Sequence, residues 1–169
     1  AANGGMSAAA LWAATTGGKD KAGNEIVVAV IDGGFDLNHE DLKENIWINK
    51  QEIPNNGKDD DGNGFVDDIV GWNAYDNNGN VKVDRHGTHV MGIIGARGNN
   101  GRGVNGVNWD VKIMAISGSS GTTAVIAKAY GYVIEQKKLW IQSKGQKGAN
   151  IVATNSSFGV DNADCKSGE

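Results

Sequence analysis

The sequence predicts an α/β fold in which helices cover both faces of a mostly parallel β-sheet. Three short apolar runs rich in Val and Ile, at residues 25–32, 111–117 and 150–155, have the composition of strands buried on both faces. Between the second and third runs, apolar residues recur at helical spacing. A strand, a helix and a strand in this order favour a right-handed βαβ unit, the connection from which parallel sheets are built.

The segment between the last two runs is predicted to form one amphipathic helix within residues 123–145. Its apolar positions are expected to face the sheet, and its charged and amide side chains are expected to lie mostly on the other side. The expected apolar face consists of Ile126, Tyr130, Val133, Ile134 and Ile141. The residues expected off that face are Lys128, Glu135, Gln136, Lys137 and Lys138.

A second helix is predicted to run from Asp84, a favourable N-cap residue, to Ala96. Gly87, Gly92 and Gly95 lie inside it, and each glycine destabilises a helix by up to about 1 kcal/mol relative to alanine. We therefore expect close backbone contacts along this helix. The residues expected to be buried on it are Val90, Ile93, Ile94 and a hydrogen-bonded core histidine, His89.

Composition and charge exclude several classes of protein. The 169 residues, 39% of them hydrophobic, fit one domain, and the net charge of −4 argues against a nucleic-acid partner. No apolar run approaches the roughly 18 residues required to span a membrane. Residues 101–106, GRGVNG, match a dinucleotide-binding pattern, but they follow a helical segment and precede a strand, which is the reverse of the order that such a site requires.

The acidic run DDDGNGFVDD at residues 59–68 predicts a calcium site. The first, third and fifth positions of a calcium loop carry oxygen ligands here, and Gly64 takes the sharp-turn position. Val70 stands where an EF-hand has glutamate, so the run is a cluster of oxygen ligands of another kind, and a solvated acidic loop is the alternative. The predicted calcium ligands are Asp59, Asp61, Asn63, Phe65 through its carbonyl, Asp67 and Asp68.

Two histidines three residues apart stand in DRHGTHVMG, residues 84–92. A zinc-peptidase helix would need H-E-x-x-H, which this segment lacks. His86, at the start of the helix, can face a cleft, and a histidine acting as general base needs a carboxylate to orient it. Asp32, at the end of the first apolar run, is the best candidate for that carboxylate, and a strand-end turn residue is the alternative reading of Asp32.

Three segments resemble the subtilisin-like serine peptidases, the subtilase family. They are VAVIDGGFDLNHEDL at residues 28–42, HGTHVMGIIGA at 86–96 and NIVATNSSFG at 150–159. The resemblance implies a subtilisin-like fold, with residues 1–169 as the N-terminal part of one peptidase catalytic domain and with an incomplete sheet. It further implies that Asp32 orients the general base His86, and it favours a large, secreted or cell-envelope bacterial member.

The resemblance also implies the other parts of the site. A polypeptide substrate is expected to pair with the residues after the second strand and to contact those after the third. These residues are Gly118, Ser119 and Ser120 on one side and Ser157, Phe158 and Gly159 on the other. Asp41 matches a position that often binds calcium in relatives, with a surface aspartate as the alternative.

The nucleophile box of the family, G-T-S-M-[AS]-x-P, does not occur in the 169 residues. The oxyanion-hole asparagine that follows the S-x-G strand does not occur either. We therefore expect the serine and that asparagine to lie in a C-terminal part or in a partner chain, and we expect Cys165 to pair with a cysteine there. An inactive calcium-binding module with the same fold is the alternative.

Overall fold

The computed structural model describes residues 8–159 of the chain. It contains four strands and three helices, and five of these seven elements lie close to their predicted positions. They are α1 (Ala8–Ala14), β1 (Val27–Asp32), β2 (Gly71–Asn73), α2 (Arg85–Gly95), β3 (Lys112–Ser117), α3 (Thr123–Gln142) and β4 (Ile151–Ser156). Only β2, which has three residues, and α1 were not predicted. Cys165 lies outside the described residues, so its pairing stays a prediction.

The strands form one parallel sheet in the order β2-β3-β1-β4. Asp32, the last residue of β1, is in register with Ser117, the last residue of β3. Ser117 in turn pairs with Asn73, the last residue of β2. Three polar residues therefore meet at the carboxyl edge of the sheet, where parallel α/β sheets carry their ligand sites.

Helices cover both faces of the sheet, as predicted. On one face, Ile31 packs in a cluster with Trp72 and Tyr132, the latter from α3. On the other face, Val30 packs in a cluster with Met91 from α2. Alternate residues of β1 therefore enter opposite clusters, and this explains why the strand is a continuous apolar run.

The predicted apolar face of α3 is partly wrong. Ile134 and Ile141 are each 60% exposed, whereas Gln136, predicted off that face, is fully buried. The buried stripe of the helix consists of Ala129, Tyr132, Val133 and Gln136. Nε2 of the buried amide donates a hydrogen bond to Asp68 at 2.6 Å, whereas Oε1 has no hydrogen-bond partner among the described residues.

The predictions for α2 are confirmed in its bounds and partly wrong in its faces. Asp84 is the N-cap and Gly95 the last helical residue. His89, expected in the core, is exposed, and Ile93 is 57% exposed. Both line a groove of about 790 Å³ that also includes Val104. The apolar contacts of α2 with the sheet therefore run along a narrower stripe than the sequence suggests.

One edge of the sheet is β4, which pairs with β1 and with no other strand among residues 8–159. The prediction of a strand buried on both faces is wrong for β4, because only Ile151 is buried and Val152 is 55% exposed. An exposed edge of this kind can accept a further strand. Within the same residues, no helix has the length and apolar character needed to cross a membrane.

Candidate active site

Asp32 lies at the carboxyl end of β1, with a side chain that is 4% exposed. Its Oδ1 atom accepts a hydrogen bond from the backbone N–H of Gly33 at 2.7 Å, and its carbonyl accepts one from Gly118 at 2.8 Å. The residue is therefore fixed through both its backbone and its side chain. A buried carboxylate is unfavourable unless it is bonded, so a further partner is expected.

His86 is the second residue of α2 and is placed by the cap of that helix. The Asp84 carboxylate accepts a hydrogen bond from the His86 backbone N–H at 2.7 Å, as an N-cap does. Thr88 adds a second connection, because its hydroxyl donates to the Asp84 carbonyl and accepts from the backbone N–H of Asp36. The start of α2 is thus joined to the loop after β1.

Glycine at position 87 allows α2 to approach β1 closely. A Cβ atom there would lie 2.2 Å from the carbonyl oxygen of Gly34 and 3.0 Å from the Cβ of Asp32. Gly95 is equally confined, with its Cβ position 2.7 Å from a methyl of Val111. The expectation of close contact is therefore confirmed for these two positions, but not for Gly92, whose Cβ would meet nothing within 4 Å.

These constraints bring Asp32 and His86 together. The Nδ1 atom of His86 lies 2.9 Å from Oδ1 and 3.0 Å from Oδ2 of Asp32. The His86 side chain remains 59% exposed, so a buried carboxylate holds one edge of a ring that otherwise faces solvent. With its Nδ1–H donated to Asp32, a neutral His86 keeps the lone pair of Nε2 available for a proton.

The pKa of His86 is raised above its ordinary value. The largest cause is the hydrogen bond to Asp32, followed by the negative charge of that carboxylate, and the charge of Asp84 adds to it. Loss of hydration acts in the opposite direction and is outweighed. The carboxylate therefore favours the imidazolium form, which a general base reaches after it has taken a proton.

The predicted substrate edge lies directly after β3. Ser119 and Ser120 form a bend, and their backbone N–H groups both donate to the hydroxyl of Tyr75, at 2.9 and 3.1 Å. Tyr75 follows β2 and was not predicted as a site residue, because no motif marks it. Its pKa is lowered: burial raises it, but the hydrogen bonds from Ser119 and Ser120 outweigh that effect.

The second predicted substrate segment follows β4. Ser157 is exposed and donates a hydrogen bond to the side chain of Asn155 at 2.9 Å. Phe158 is half-buried against the cluster that contains Trp72, and Gly159 is exposed. Their contact with substrate stays a prediction.

Comparison with known proteins identifies the family. The sequence model of the subtilase family matches residues 23–167, most of the chain. The chain belongs to the subtilase family. The match includes both Asp32 and His86, so the two residues that lie in contact are those in the Asp and His boxes of the resemblance.

Named relatives come from two groups of organisms. "Subtilisin-like protease 1" of Plasmodium falciparum is 53% identical over 89 residues, 52% of this subtilase chain and 13% of the relative. Its namesake in Plasmodium berghei is 45% identical over 118 residues, 65% of this chain and 19% of the relative. The "Major intracellular serine protease" of Bacillus subtilis is 36% identical over 132 residues, 75% of this chain and 34% of the relative.

This chain therefore spans about a third or less of the length of these relatives. The expectation of a large, secreted or cell-envelope bacterial subtilase stays a prediction, because the relatives include Plasmodium proteins and one named as intracellular.

The acidic loop of this subtilase separates its carboxylates into two groups. Asp59 accepts hydrogen bonds from the backbone N–H groups of Gly62, Asn63 and Gly64, and Asp67 accepts from those of residues 56 and 57. These two carboxylates therefore stabilise the conformation of the loop. The ring of Phe65 packs edge-on against Trp72 and Tyr132 in the apolar cluster, with 4.8 Å between ring centroids in each case.

The second group is a buried cluster of three carboxylates, Glu52, Asp61 and Asp68. One oxygen from each lies within 4.8 Å of the others. Asn49 donates from its amide to both aspartates at 2.9 Å, and Asn63 donates to Asp68 at 3.0 Å. Glu52 was missed by the sequence analysis, because it stands seven residues before the acidic run and no feature of the sequence distinguishes it from a surface glutamate.

The carboxylate cluster is electrostatically unfavourable as it stands. Burial raises the pKa of Asp68 to about 7, although hydrogen bonds from Tyr132, Asn49 and Asn63 lower it. Burial also raises the pKa of Glu52. No lysine or arginine side chain among residues 8–159 forms an ion pair with the three carboxylates. Hard oxygen ligands crowded in this way suit a calcium ion.

Asp41 is 2% exposed, so the alternative of a surface aspartate is wrong. Its Oδ2 atom accepts a hydrogen bond from the backbone N–H of Val104 at 3.0 Å. Its Oδ1 atom is buried and has no hydrogen-bond partner among the described residues. Gly103, with a φ of +44°, lies so close that a Cβ there would overlap the carboxylate. A buried, unpartnered carboxylate oxygen fits a cation ligand.

Proposed function

We propose that this chain supplies the general base and its orienting carboxylate to a serine endopeptidase. The observation that carries the proposal is the contact between His86 Nδ1 and the buried carboxylate of Asp32, 2.9 Å at its shortest. Membership of the subtilase family supports it. A histidine that only packs in a core would not be half-exposed at the edge of the sheet where ligands bind.

In the proposed reaction, Nε2 of His86 takes the proton from a serine hydroxyl as its oxygen attacks the carbonyl carbon of a peptide bond. The imidazolium is stabilised by Asp32 and then gives its proton to the nitrogen of the departing amine. Water repeats the attack on the acyl-enzyme and releases the second product. The serine and the oxyanion donors come from a C-terminal segment or a partner chain that contains the G-T-S-M box.

A fluorophosphonate probe tests this proposal, because it forms a covalent bond with a serine that a histidine activates. The protein to use is the polypeptide that contains residues 1–169 together with the segment carrying the serine. We expect labelling of the unaltered protein and loss of labelling in His86→Ala. His89→Ala is the matched control, since His89 lies on the same helix without contact to Asp32, and it should label normally.

Absence of labelling in the unaltered, folded protein would contradict the peptidase proposal and favour the inactive calcium-binding module. Equal labelling of the two histidine variants would exclude His86 from serine activation.

We further propose that the cluster of Glu52, Asp61 and Asp68 binds a structural calcium ion. The support is its burial, the mutual proximity of its oxygens within 4.8 Å, and the raised pKa of Asp68 and Glu52. Calcium binds through six to eight oxygens, so water and further oxygen atoms near the cluster can complete the shell. The ion would hold together a polar loop that has little apolar surface to bury.

Isothermal titration of chelator-treated protein with calcium tests this second proposal. Asp61→Asn should weaken binding at least tenfold, because each carboxylate contributes to the affinity of a calcium site. Asp60→Asn is the matched control: it makes the same change of charge one residue away on an exposed side chain and should bind almost normally. Equal calcium affinity in the two variants would contradict the assignment.

Asp41 is proposed to contribute to a separate calcium site, on the basis of its buried, unpartnered Oδ1 atom. Asp41→Asn keeps the size of the side chain and removes its charge. In the same titration, it should eliminate one binding event, while the event that Asp61→Asn weakens keeps its affinity. A titration curve unchanged by Asp41→Asn would contradict this site.

A further inference from the structure

Tyr75 organises the bend that follows β3 through a single oxygen atom. Its hydroxyl accepts hydrogen bonds from the backbone N–H groups of Ser119 and Ser120 at 2.9 and 3.1 Å. The hydroxyls of the same two serines lie 3.3 and 3.0 Å from it. Four polar groups of two consecutive residues therefore converge on one side chain that is distant in sequence.

The bend has little else to fix its conformation. It is bounded by two glycines, Gly118 and Gly121, and the second has a φ of +94°. Gly118 is held by its own N–H bond to the carbonyl of Asp32. Ser120 and Gly121 are exposed, so packing contributes little to their order. The hydrogen bonds to Tyr75 are the main constraint on the two serines.

Tyr75 is itself held in place by Lys82, a residue shortly before His86 in the chain. The ammonium group of Lys82 lies 4.9 Å from the centroid of the Tyr75 ring and 3.2 Å from the carboxylate of Asp76. The backbone N–H of Lys82 donates to the hydroxyl of Ser117, the last residue of β3. Residues 82–84 lead directly to the cap of α2, so the bend and His86 share one support.

We propose that Tyr75 is a positioning residue for polypeptide substrate, which fixes the bend at Ser119 and Ser120 so that an extended substrate chain can pair with it. The inference rests on the proposed peptidase function. Since the N–H groups of residues 118–120 are engaged within the protein, the carbonyl oxygens of this bend are the groups that accept hydrogen bonds from the substrate backbone. Affinity along this edge then depends on how well Tyr75 orders it in advance.

Amide hydrogen exchange in the chain tests the ordering directly, and it requires no activity. Tyr75→Phe keeps the ring and removes the hydroxyl, so exchange at Ser119 and Ser120 should accelerate, by roughly tenfold or more. Thr16→Val is the matched control, because it removes a hydroxyl hydrogen bond to Asp110, before the opposite end of β3. It should leave exchange at both serines unchanged. Unaltered exchange in Tyr75→Phe would overturn the proposal.

Kinetics with a long and a short peptide substrate then separate positioning from general damage to the protein. For a substrate that extends along the bend, Tyr75→Phe should raise KM roughly fivefold and leave kcat nearly unchanged. A substrate too short to reach the bend should show neither change, and Thr16→Val should affect neither substrate. An equal loss with both substrates, or no loss with either, would overturn the substrate role.

The two proposals fail in different ways. If the unaltered protein cleaves no peptide, the peptidase function is contradicted. The exchange measurement then still decides whether Tyr75 orders the bend, and the substrate role falls with the function on which it rests. If the protein is active and only the effect on the long substrate is missing, the peptidase function stands and the role of Tyr75 is wrong.

Discussion

The Nδ1 atom of His86 lies 2.9 Å from the Oδ1 atom of Asp32, although 54 residues separate the two along the chain. The contact forms because β1 ends and α2 begins at the same edge of the sheet. Asp32 is bonded in place from β1, while the cap at Asp84 sets the first turn of α2.

Asp32→Asn should lower the pKa of His86, because it removes the negative charge and leaves at most a weaker, neutral hydrogen bond to the imidazole. Titration of the imidazole ring followed by NMR measures the change. Asp36→Asn, which removes a carboxylate from the loop after β1, is the control and should leave the pKa of His86 almost unaltered. If both variants titrate alike, Asp32 does not control His86.

The same interaction predicts a pH dependence of stability. The pKa of His86 is higher in the folded than in the unfolded state, so folding favours the protonated form. The stabilisation by the Asp32–His86 interaction is therefore complete below the unfolded-state pKa and is lost as the pH rises through the folded-state pKa. Urea unfolding across this range should show that loss in the unaltered protein but not in His86→Ala.

Asp84→Ala should lower the free energy of unfolding by about 1 kcal/mol, the usual effect of removing an N-cap side chain. It should also lower the pKa of His86, because Asp84 contributes to the shift and holds the first turn of α2. Thr122→Ala removes the corresponding cap of α3 and should destabilise the protein without changing the pKa of His86. A titration of His86 that is unchanged in Asp84→Ala would contradict the role of the cap.

Two glycines of α2 should respond in opposite directions to alanine. Gly87→Ala places a methyl group against the carbonyl of Gly34 and should destabilise the protein by about 1–3 kcal/mol while it separates His86 from Asp32. Gly92→Ala meets nothing within 4 Å and should stabilise the helix by up to about 1 kcal/mol. Thermal unfolding of the two variants measures the difference. Similar melting temperatures would show that the close approach at Gly87 is wrong.

In α3 the polar Gln136 is buried and the apolar Ile134 is exposed, the reverse of what their side chains suggest. Gln136→Ala leaves a cavity and deprives Asp68 of a donor, and it should lower the free energy of unfolding by about 2 kcal/mol or more. Ile134→Ala changes an exposed side chain and should alter it by about 0.5 kcal/mol or less. If a denaturant titration showed the larger loss of stability for Ile134→Ala, it would support the apolar face that was predicted from the sequence.

Much of the fold could be predicted because its strands are continuous apolar runs and its helices have clear periodicity or a clear cap. β1 and β3 are buried inside a parallel sheet, and burial on both faces produces continuous apolar runs of this length. β4 lies at an edge of the sheet, although its sequence has the same character. The strand β2 was missed because three residues, Gly71–Asn73, are too few to show a pattern. Among residues 8–159, the strand that pairs with it is β3, a long-range contact.

The Asp32–His86 pair could be predicted because each residue stands in a sequence motif, but the residues around the pair could not. Tyr75 and Glu52 stand in no motif, and each has its role only through contacts made in three dimensions. Gln136 was misjudged because a polar residue is buried when a distant partner, here Asp68, accepts its hydrogen bond. His89 was misjudged because helical spacing places a residue on a face without saying whether that face is covered.

The turnover number for peptide hydrolysis in His86→Ala, beside His89→Ala, tests the central claim most directly. The measurement uses the polypeptide that joins residues 1–169 to the segment with the serine, and thermal unfolding verifies that both variants are folded. If His86 is the general base, its removal should lower kcat by on the order of 10⁴-fold or more, a scale taken from measured triads, subtilisin's among them, while His89→Ala stays close to the unaltered protein. A merely few-fold loss in His86→Ala would contradict the account.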